Sequence, residues 1–391
     1  MSTIKQLPKS VANQIAAGEV IQRPSSIVKE LIENSIDAKA RNIKVIIQDA
    51  GKQSITVVDD GVGMSQEDSR KCFMRHSTSK LNKAEDLFKI KTMGFRGEAL
   101  ASVAAVAEII LRTKTNKEKI GHELKLKDSN LVEQNQINTQ VGTTIIAKNL
   151  FFSIPARRNF LKSNNVELRH IIDEFIRCAL SHCEINFTLT NEKSEIYNLK
   201  SSNLTKRILS IFKKSYEKQL ISCDEKFGAI SVSGFIGKPE NSKKTRGEQF
   251  IFVNNRFIKN SYLNHAIIKS YEGLIEEKKY PFYILFIKIN TDLVDVNIHP
   301  TKTEVKFEDE RLIYSLINSS VKKSLEKFNV SPSINFDADI NFAEKVVTQY
   351  DKIGKINNDV LSHSNKKRNW EEIFENVKIE NSARELFENQ N

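Results

Sequence analysis

The sequence predicts an α+β chain of two domains followed by a polar tail. Three features carry that expectation. β-Branched runs flank a turn within residues 43–59, strand and helix patterns alternate between 201 and 330, and apolar residues become sparse from 331 onward. At 391 residues the chain has room for two or three domains, each able to bury a core. A hydrophobic content of 39% with 28% charged residues fits a soluble globular protein. No apolar run reaches the roughly 18 residues of a membrane span, and the N-terminus lacks the apolar core of a signal peptide. A cytoplasmic location without membrane contact is expected.

Taken in order, the first clear element is RPSSIVKELIENSIDA, residues 23–38. Ile27, Val28, Leu31, Ile32 and Ile36 make an apolar stripe at helical spacing, and Glu30, Asn34 and Asp37 line the opposite face. Pro24 suits a first helical turn. A solvated polar face is one account of the three polar residues; a ligand-facing set is the other. Residues 43–59 read as a hairpin turning around Asp49, Ala50 and Gly51. Residues 98–107 read as an alanine-rich helix followed by the strand EIILRT, with further strands at 122–127 and 142–147 and a helix at 166–180. The first domain, 1–200, is expected to pack its helices on one face of a largely antiparallel sheet. The second, 201–330, runs helix LTKRILSIF, strands AISVSGFIG and EQFIFVNN, helix SYLNHAIIKSYEGLIEEK, strands FYILFIKI and DVNIHP, then helix DERLIYSLINSSVKKSLEKF. That alternation predicts an α/β domain with right-handed crossovers. Residues 331–391 read as a linker or tail.

The net charge is +11. The final 61 residues hold 8 basic and 11 acidic residues, which leaves 52 basic and 38 acidic in the rest. A balance of +14 there favours a polyanionic partner such as nucleic acid. Cys72, Cys178, Cys183 and Cys223 are scattered without metal-ligand spacing and read as ordinary thiols in a reducing compartment.

Three glycine-bearing stretches carry candidate chemistry. The strand SITVVDDGVGM ends in Asp59, and Gly61 and Gly63 follow. A carboxylate there can accept from an amino group while glycine lets the backbone approach a flat ring. Gly94 and Gly97 precede a helix, where free N–H groups can seat an anion. Gly142, Thr143 and Thr144 open a later strand. Each signal is weak alone. Their order is that of the ATP-binding fold shared by DNA gyrase, the Hsp90 chaperones, histidine kinases and MutL.

NQIAAGEVIQRPSSIVKELIENSIDA, RHSTSKL, GFRGEALASV, VGTT, PARRNFL, FVNNRFI and VNIHPTKTEVKF narrow this further. They resemble the bacterial MutL family of DNA mismatch repair proteins, in the family's order, over residues 1–330. The resemblance implies a Bergerat-type ATPase α/β sandwich followed by a ribosomal protein S5-like domain. It implies ATP and Mg²⁺ as cofactors and a slow ATPase. Glu30 would be the general base, Asn34 the Mg²⁺ ligand, Asp59 the acceptor for the adenine amino group, and Thr143 its support. Gly94, Phe95, Arg96 and Gly97 would cradle the phosphates beside Gly63. Thr78, Ser79 and Lys80 would belong to the lid, and Lys302 would reach the γ-phosphate from the second domain. Arg157, Arg158 and Arg256 resemble a basic groove for sequence-blind DNA phosphate contacts, with surface pairing or support of the lid as the other account. Asp37 is given local capping only. Lys39 stands where the family usually has glycine, a residue that would suit a left-handed helix end.

The implied function is an ATP-dependent matchmaker. It would couple a mismatch-recognition protein of the MutS type to a downstream nuclease or helicase, through an ATP-dependent N-terminal homodimer. A DNA-binding scaffold with vestigial turnover is the alternative. Nothing resembles the DQHAxxExxxxE-like nuclease segment, so no endonuclease activity is expected. Topoisomerase, chaperone and histidine-kinase readings each need a region not seen in the sequence.

Overall fold

The computed structural model describes residues 8–80, 92–94, 97–295 and 303–330. Phe95, Arg96, Lys302 and residues 331–391 lie outside the described residues.

Helices α1 (Lys9–Val20) and α2 (Pro24–Asp37) lead into strands β1 (Asn42–Gln48) and β2 (Ser54–Asp59). The two strands pair as the expected hairpin around a 3-10 turn at Asp49–Gly51. Short α3 (Gln66–Lys71) and alanine-rich α4 (Ala99–Val106) precede β3 (Glu108–Lys114), β4 (Gly121–Lys127), β5 (Asn130–Ile137) and β6 (Gly142–Lys148). Then come α5 (Pro155–Asn159), α6 (Asn164–Ser181), β7 (Asn186–Asn191) and β8 (Ser194–Leu199). The eight strands form one sheet in the order β5-β4-β3-β6-β2-β1-β7-β8, antiparallel except for the β1–β7 pair. Ile43, Val45 and Ile47 of β1 are buried while alternate residues face outward. One face is therefore covered and the other solvated, the usual pattern of an antiparallel sheet.

The second half contributes α7 (Leu204–Phe212), β9 (Leu220–Phe227), β10 (Ile230–Gly237), β11 (Gln249–Val253), β12 (Arg256–Ile258), α8 (Ser261–Ser270) and β13 (Tyr283–Lys288). The small pair β14 (Val294–Asp295) and β15 (Lys306–Phe307) precedes α9 (Glu310–Val330). The sheet order is β12-β11-β13-β10-β9, and α8 is the crossover between parallel β11 and β13. Both faces of this sheet are covered, which explains the continuous apolar runs QFIFV and YILFIK. Ile251, Val253, Leu285 and Ile287 pack with residues of α8 and α9. Phe250, Phe252 and Ile284 join the core of the first half instead. Phe252 stacks on Phe286 at 4.7 Å, Phe212 meets Phe282 edge-on at 5.4 Å, and Arg177 of α6 lies 4.1 Å over the Phe257 ring.

Strands β5, β7, β8, β9, β12 and β15 and the helices α1, α3 and α5 went unanticipated, and the strand expected at DVNIHP lies, after Asp295, outside the described residues. β5 is an edge strand, exposed along almost its whole length, so it lacks the apolar alternation that marks a strand. The helix expected over 261–278 ends at Ser270, and Gly273 beyond it has φ +76°, a turn conformation. Lys39 does adopt the left-handed conformation, with φ 61°, at the exit of α2.

Candidate active site

Strand register builds the floor of the site. Asp59 of β2 pairs with Thr143 of β6, which pairs with Thr113 of β3, so three strands present one polar row. Thr143 and Thr113 are buried, with Oγ1 atoms 3.3 Å apart. Thr113 Oγ1 also donates to the Gly142 carbonyl at 3.0 Å and accepts from the Met64 amide at 2.9 Å. Thr113 was not expected in the site, because no local spacing ties residue 113 to the segments beside it.

Asp59 Oδ2 accepts from Ser35 Oγ at 2.7 Å, and Oδ1 accepts from the Gly61 amide at 2.9 Å. Burial pushes the Asp59 carboxyl up, against the pull of its Ser35, Gly61 and Thr143 donors. Its neighbour Asp60 turns away. Partial burial raises the Asp60 carboxyl too, but donors from Asn42 and Arg41 outweigh burial and hold it below the usual range. Adjacent strand residues point to opposite faces, so one aspartate serves the cavity and the other ties the end of β2 to the start of β1.

Helix α2 forms one wall. The solvated-face account fails at Glu30, which is 6% exposed. The helix is covered on most sides, with Ile27, Val28, Leu31 and Ile32 in the core. Asp37 has a larger role than capping. Its Oδ1 accepts from the Met93 amide at 3.0 Å, and its Oδ2 accepts from the Gly94 amide at 3.0 Å and Lys80 Nζ at 2.6 Å. Lys80 Nζ also lies 3.3 Å from Asn34 Oδ1. A cation is thus already held by the two oxygen donors that end α2. The position of Asp37 three residues after Asn34 was the signal that could have found it.

Two loops complete the enclosure. Gly63 (φ +69°) and Gly97 (φ +63°) each run against backbone: a Cβ would lie 2.1 Å from the Lys114 carbonyl oxygen at the first and 2.5 Å from that of Ser77 at the second. Glu30, Asn34, Asp59, Gly63, Thr78, Ser79, Lys80, Gly94, Gly97 and Thr143 all line one cavity of about 700 Å³. Asp37, Asp68, Lys71 and Cys72 line it as well. Burial pushes the Cys72 thiol up to about 12, so it stays protonated at neutral pH.

The three arginines lie elsewhere. Arg256 is 6% exposed and donates through Nη2 to the carbonyls of Thr92 (3.2 Å) and Met93 (2.9 Å). It is therefore not presented to a phosphate in this structure, and its contacts match the lid-supporting account. Arg157 packs its guanidinium on α1, where a Cβ on Gly18 would sit 1.6 Å from Nη2. Arg158 is exposed.

Two family models match. Residues 22–150 match the histidine kinase-, DNA gyrase B- and HSP90-like ATPase family, and residues 208–326 match the DNA mismatch repair protein, C-terminal domain family. The DNA mismatch repair protein MutL of Christiangramia forsetii is 54% identical over 336 residues, covering 86% of this chain and 54% of that protein. The MutL of Flavobacterium psychrophilum is 53% identical over 340 residues, covering 87% and 56%. The chain thus spans about half the length of these curated relatives. Among solved structures, the N-terminal domain of a DNA repair protein superposes with a TM-score of 0.72 at 24% identity, over 82% of this chain and 99% of that one, which speaks to the fold alone. An Aquifex aeolicus MutL ATPase domain complexed with ADP matches with a TM-score of 0.53 at 28% identity, over 69% of this chain and 93% of that one. With both family models matched in sequence order and about half of the aligned residues identical to those curated relatives, this chain belongs to the MutL family of DNA mismatch repair proteins.

Proposed function

We propose that this chain binds ATP with Mg²⁺ in the 700 Å³ cavity and hydrolyses it slowly, and that the nucleotide state serves as a switch in DNA mismatch repair. The observation that carries the reading is the convergence of ten expected site residues on that one cavity. Its size lies within the ~300–1,000 Å³ of small-molecule sites. The ADP complex of the 28%-identical ATPase domain supports an adenine nucleotide as ligand.

In this reading the ionised Asp59 accepts from the adenine amino group, and Ser35, Gly61 and Thr143 fix the direction of its lone pairs. Glu30 stands one helical turn before Asn34 on α2 and orients a water for attack as general base. The donor set fits Mg²⁺: a hard cation held by one or two protein oxygens and completed by substrate phosphates, with the Asn34 amide oxygen as the ligand and Lys80 giving way from its place beside it. When bound, the ion would neutralise phosphate charge. Gly94 and Gly97 are assigned to the phosphate cradle, the Gly94 N–H being held by Asp37 Oδ2 in this structure; Phe95 and Arg96 are assigned with them, and Lys302 is assigned to the γ-phosphate. Domain limits of 1–200 and 201–330, with a tail at 331–391, belong to the same proposal.

The nucleotide-bound form would pair through its N-terminal region and transmit mismatch recognition from a MutS-type protein to a downstream nuclease or helicase. DNA would be held by non-specific phosphate contacts, with Arg157 and Arg158 as contributors. No DNA cleavage is assigned to this chain, and a cytoplasmic setting is proposed. Among the described residues no helix is long and apolar enough to cross a membrane.

The test is Glu30→Ala. The variant should bind a non-hydrolysable ATP analogue with unchanged affinity and release no phosphate in single-turnover measurements. Turnover at the parent rate would remove Glu30 from its role.

A further inference from the structure

Asp37 holds the donors that the nucleotide reading assigns to phosphate. Its Oδ1 accepts from the Met93 amide at 3.0 Å, and its Oδ2 accepts from the Gly94 amide at 3.0 Å and from Lys80 Nζ at 2.6 Å. Two consecutive backbone N–H groups and an ammonium converging on one anion make a phosphate seat. Here the anion belongs to the chain itself. Lys80 Nζ also lies 3.3 Å from Asn34 Oδ1, an oxygen suited to a hard cation. The position that a Cβ on Gly94 would take is 3.1 Å from Lys80 Nζ, 3.6 Å from Asn34 Oδ1 and 3.7 Å from Asp37 Oδ2. Ammonium, amide oxygen and carboxylate thus meet at one point on the wall of the large cavity, which all three residues line.

The ion pair is shielded, with the Lys80 and Asp37 side chains 21% and 7% exposed, so water screens it weakly. The loop also has a second hold. Arg256 Nη2 donates to the carbonyls of Thr92 and Met93 at 3.2 and 2.9 Å. A carboxylate grips the N–H groups of the segment and a guanidinium grips its C=O groups. Arg256 can therefore keep the loop in place when Asp37 lets go.

We propose that the Asp37–Lys80 ion pair is an internal surrogate for metal-bound phosphate, which closes the site before nucleotide arrives and makes metal-free nucleotide a poor ligand. The inference rests on the nucleotide reading of this cavity. When phosphate oxygens take the Gly94 amide and Lys80, the Asp37 carboxylate loses its donors. It then faces the phosphates with no cation between them, and like charges repel. With a divalent ion beside Asn34 Oδ1, the carboxylate regains a cationic neighbour. Asp37 thereby couples the two ligands, each raising the affinity for the other by the same factor. A divalent ion alone meets Lys80 already seated between Asn34 and Asp37.

The experiment measures, by calorimetry on the full chain, binding of a non-hydrolysable ATP analogue with Mg²⁺ or with chelator, and of inorganic tripolyphosphate with chelator. The parent should bind the metal-free analogue about ten- to hundredfold more weakly than its Mg²⁺ form. Asp37→Asn should tighten metal-free binding of both ligands about tenfold and shrink the Mg²⁺ effect, because the competing charge is gone. Arg256→Ala, which loosens the same loop without removing an anion, should weaken both ligands. If Asp37 only ordered the loop, Asp37→Asn would weaken them too, so the sign separates the two roles. Lys80→Met gives a second readout: free-Mn²⁺ signals should show it taking up Mn²⁺ without nucleotide about tenfold more tightly than the parent. Metal-free binding by Asp37→Asn equal to or weaker than the parent's, or unchanged Mn²⁺ uptake in Lys80→Met, would overturn the proposal. A parent that binds tripolyphosphate but no adenine nucleotide would sink the ATP reading instead, and the tripolyphosphate comparison would still decide this one.

Discussion

Replacing Asp37 with asparagine should release the loop that carries Met93 and Gly94 while leaving the core intact. The carboxylate serves three donors: the Met93 amide on Oδ1, and the Gly94 amide with Lys80 Nζ on Oδ2. An amide side chain keeps one acceptor oxygen and turns an NH₂ group toward the remaining donors. With the amide oxygen at the Oδ2 place the Met93 N–H loses its acceptor and the Gly94 and Lys80 bonds lose their charged one; turned the other way, both the Gly94 N–H and the Lys80 ammonium lose theirs. Hydrogen bonds to a charged group contribute about 1.5–3 kcal/mol each. Lys80, at 21% side-chain exposure, recovers part of its share from water. The net cost is about 3 kcal/mol, concentrated on the loop, or on the order of a hundredfold in its opening equilibrium. Hydrogen exchange read on peptides covering 92–97 measures this directly. Exchange should quicken about a hundredfold there and stay unchanged across the buried strands β1 and β2. Unchanged protection in the loop, or a uniform loss over the whole fold, would refute the assignment of Asp37 as the anchor.

Asp59→Asn separates stability from binding. The folded-state carboxyl titrates above its ordinary value, so its stabilising contribution is complete below the unfolded pKa and lost as pH rises through the raised one. The variant should melt higher than the parent at neutral pH without nucleotide and lose any nucleotide-induced rise in Tm. The parent should bind ATP more tightly as pH rises through that pKa, with proton release detectable by calorimetry in buffers of different ionisation heat. Lys39→Gly relieves a left-handed non-glycine residue, about 1–2 kcal/mol, less about 0.4–1 kcal/mol of added unfolded-chain entropy. A gain of roughly 0.5–1 kcal/mol should appear in denaturant midpoints. Arg158→Ala should lower the salt slope of DNA binding by about one, whereas Arg256→Ala should leave the slope alone and quicken exchange at Thr92 and Met93, whose carbonyls it holds.

Much of the fold was legible because its longer elements carry local patterns. The apolar stripe of α2, the β-branched hairpin and the alanine-rich α4 each announce themselves within a dozen residues. β5 and β9 did not, since edge strands satisfy fewer packing constraints and tolerate polar residues on both faces. In the site, motif order brought forward Glu30, Asn34, Asp59 and the glycine loops. Asp37 was undervalued and Thr113 unseen. The first depends on a loop more than fifty residues away, the second on the pairing of β3 with β6.

The sequence by itself determined the family, the order of the elements and which residue types could meet a nucleotide, because each of these is written in short windows of spacing and composition. Only the tertiary structure decided that Glu30 is buried rather than solvated, that Arg256 turns inward to the loop at 92–93, and that Asp37 holds the Met93 and Gly94 amides. Burial and strand register are set by partners distant along the chain, and no local pattern encodes which side of a helix or sheet those partners will cover.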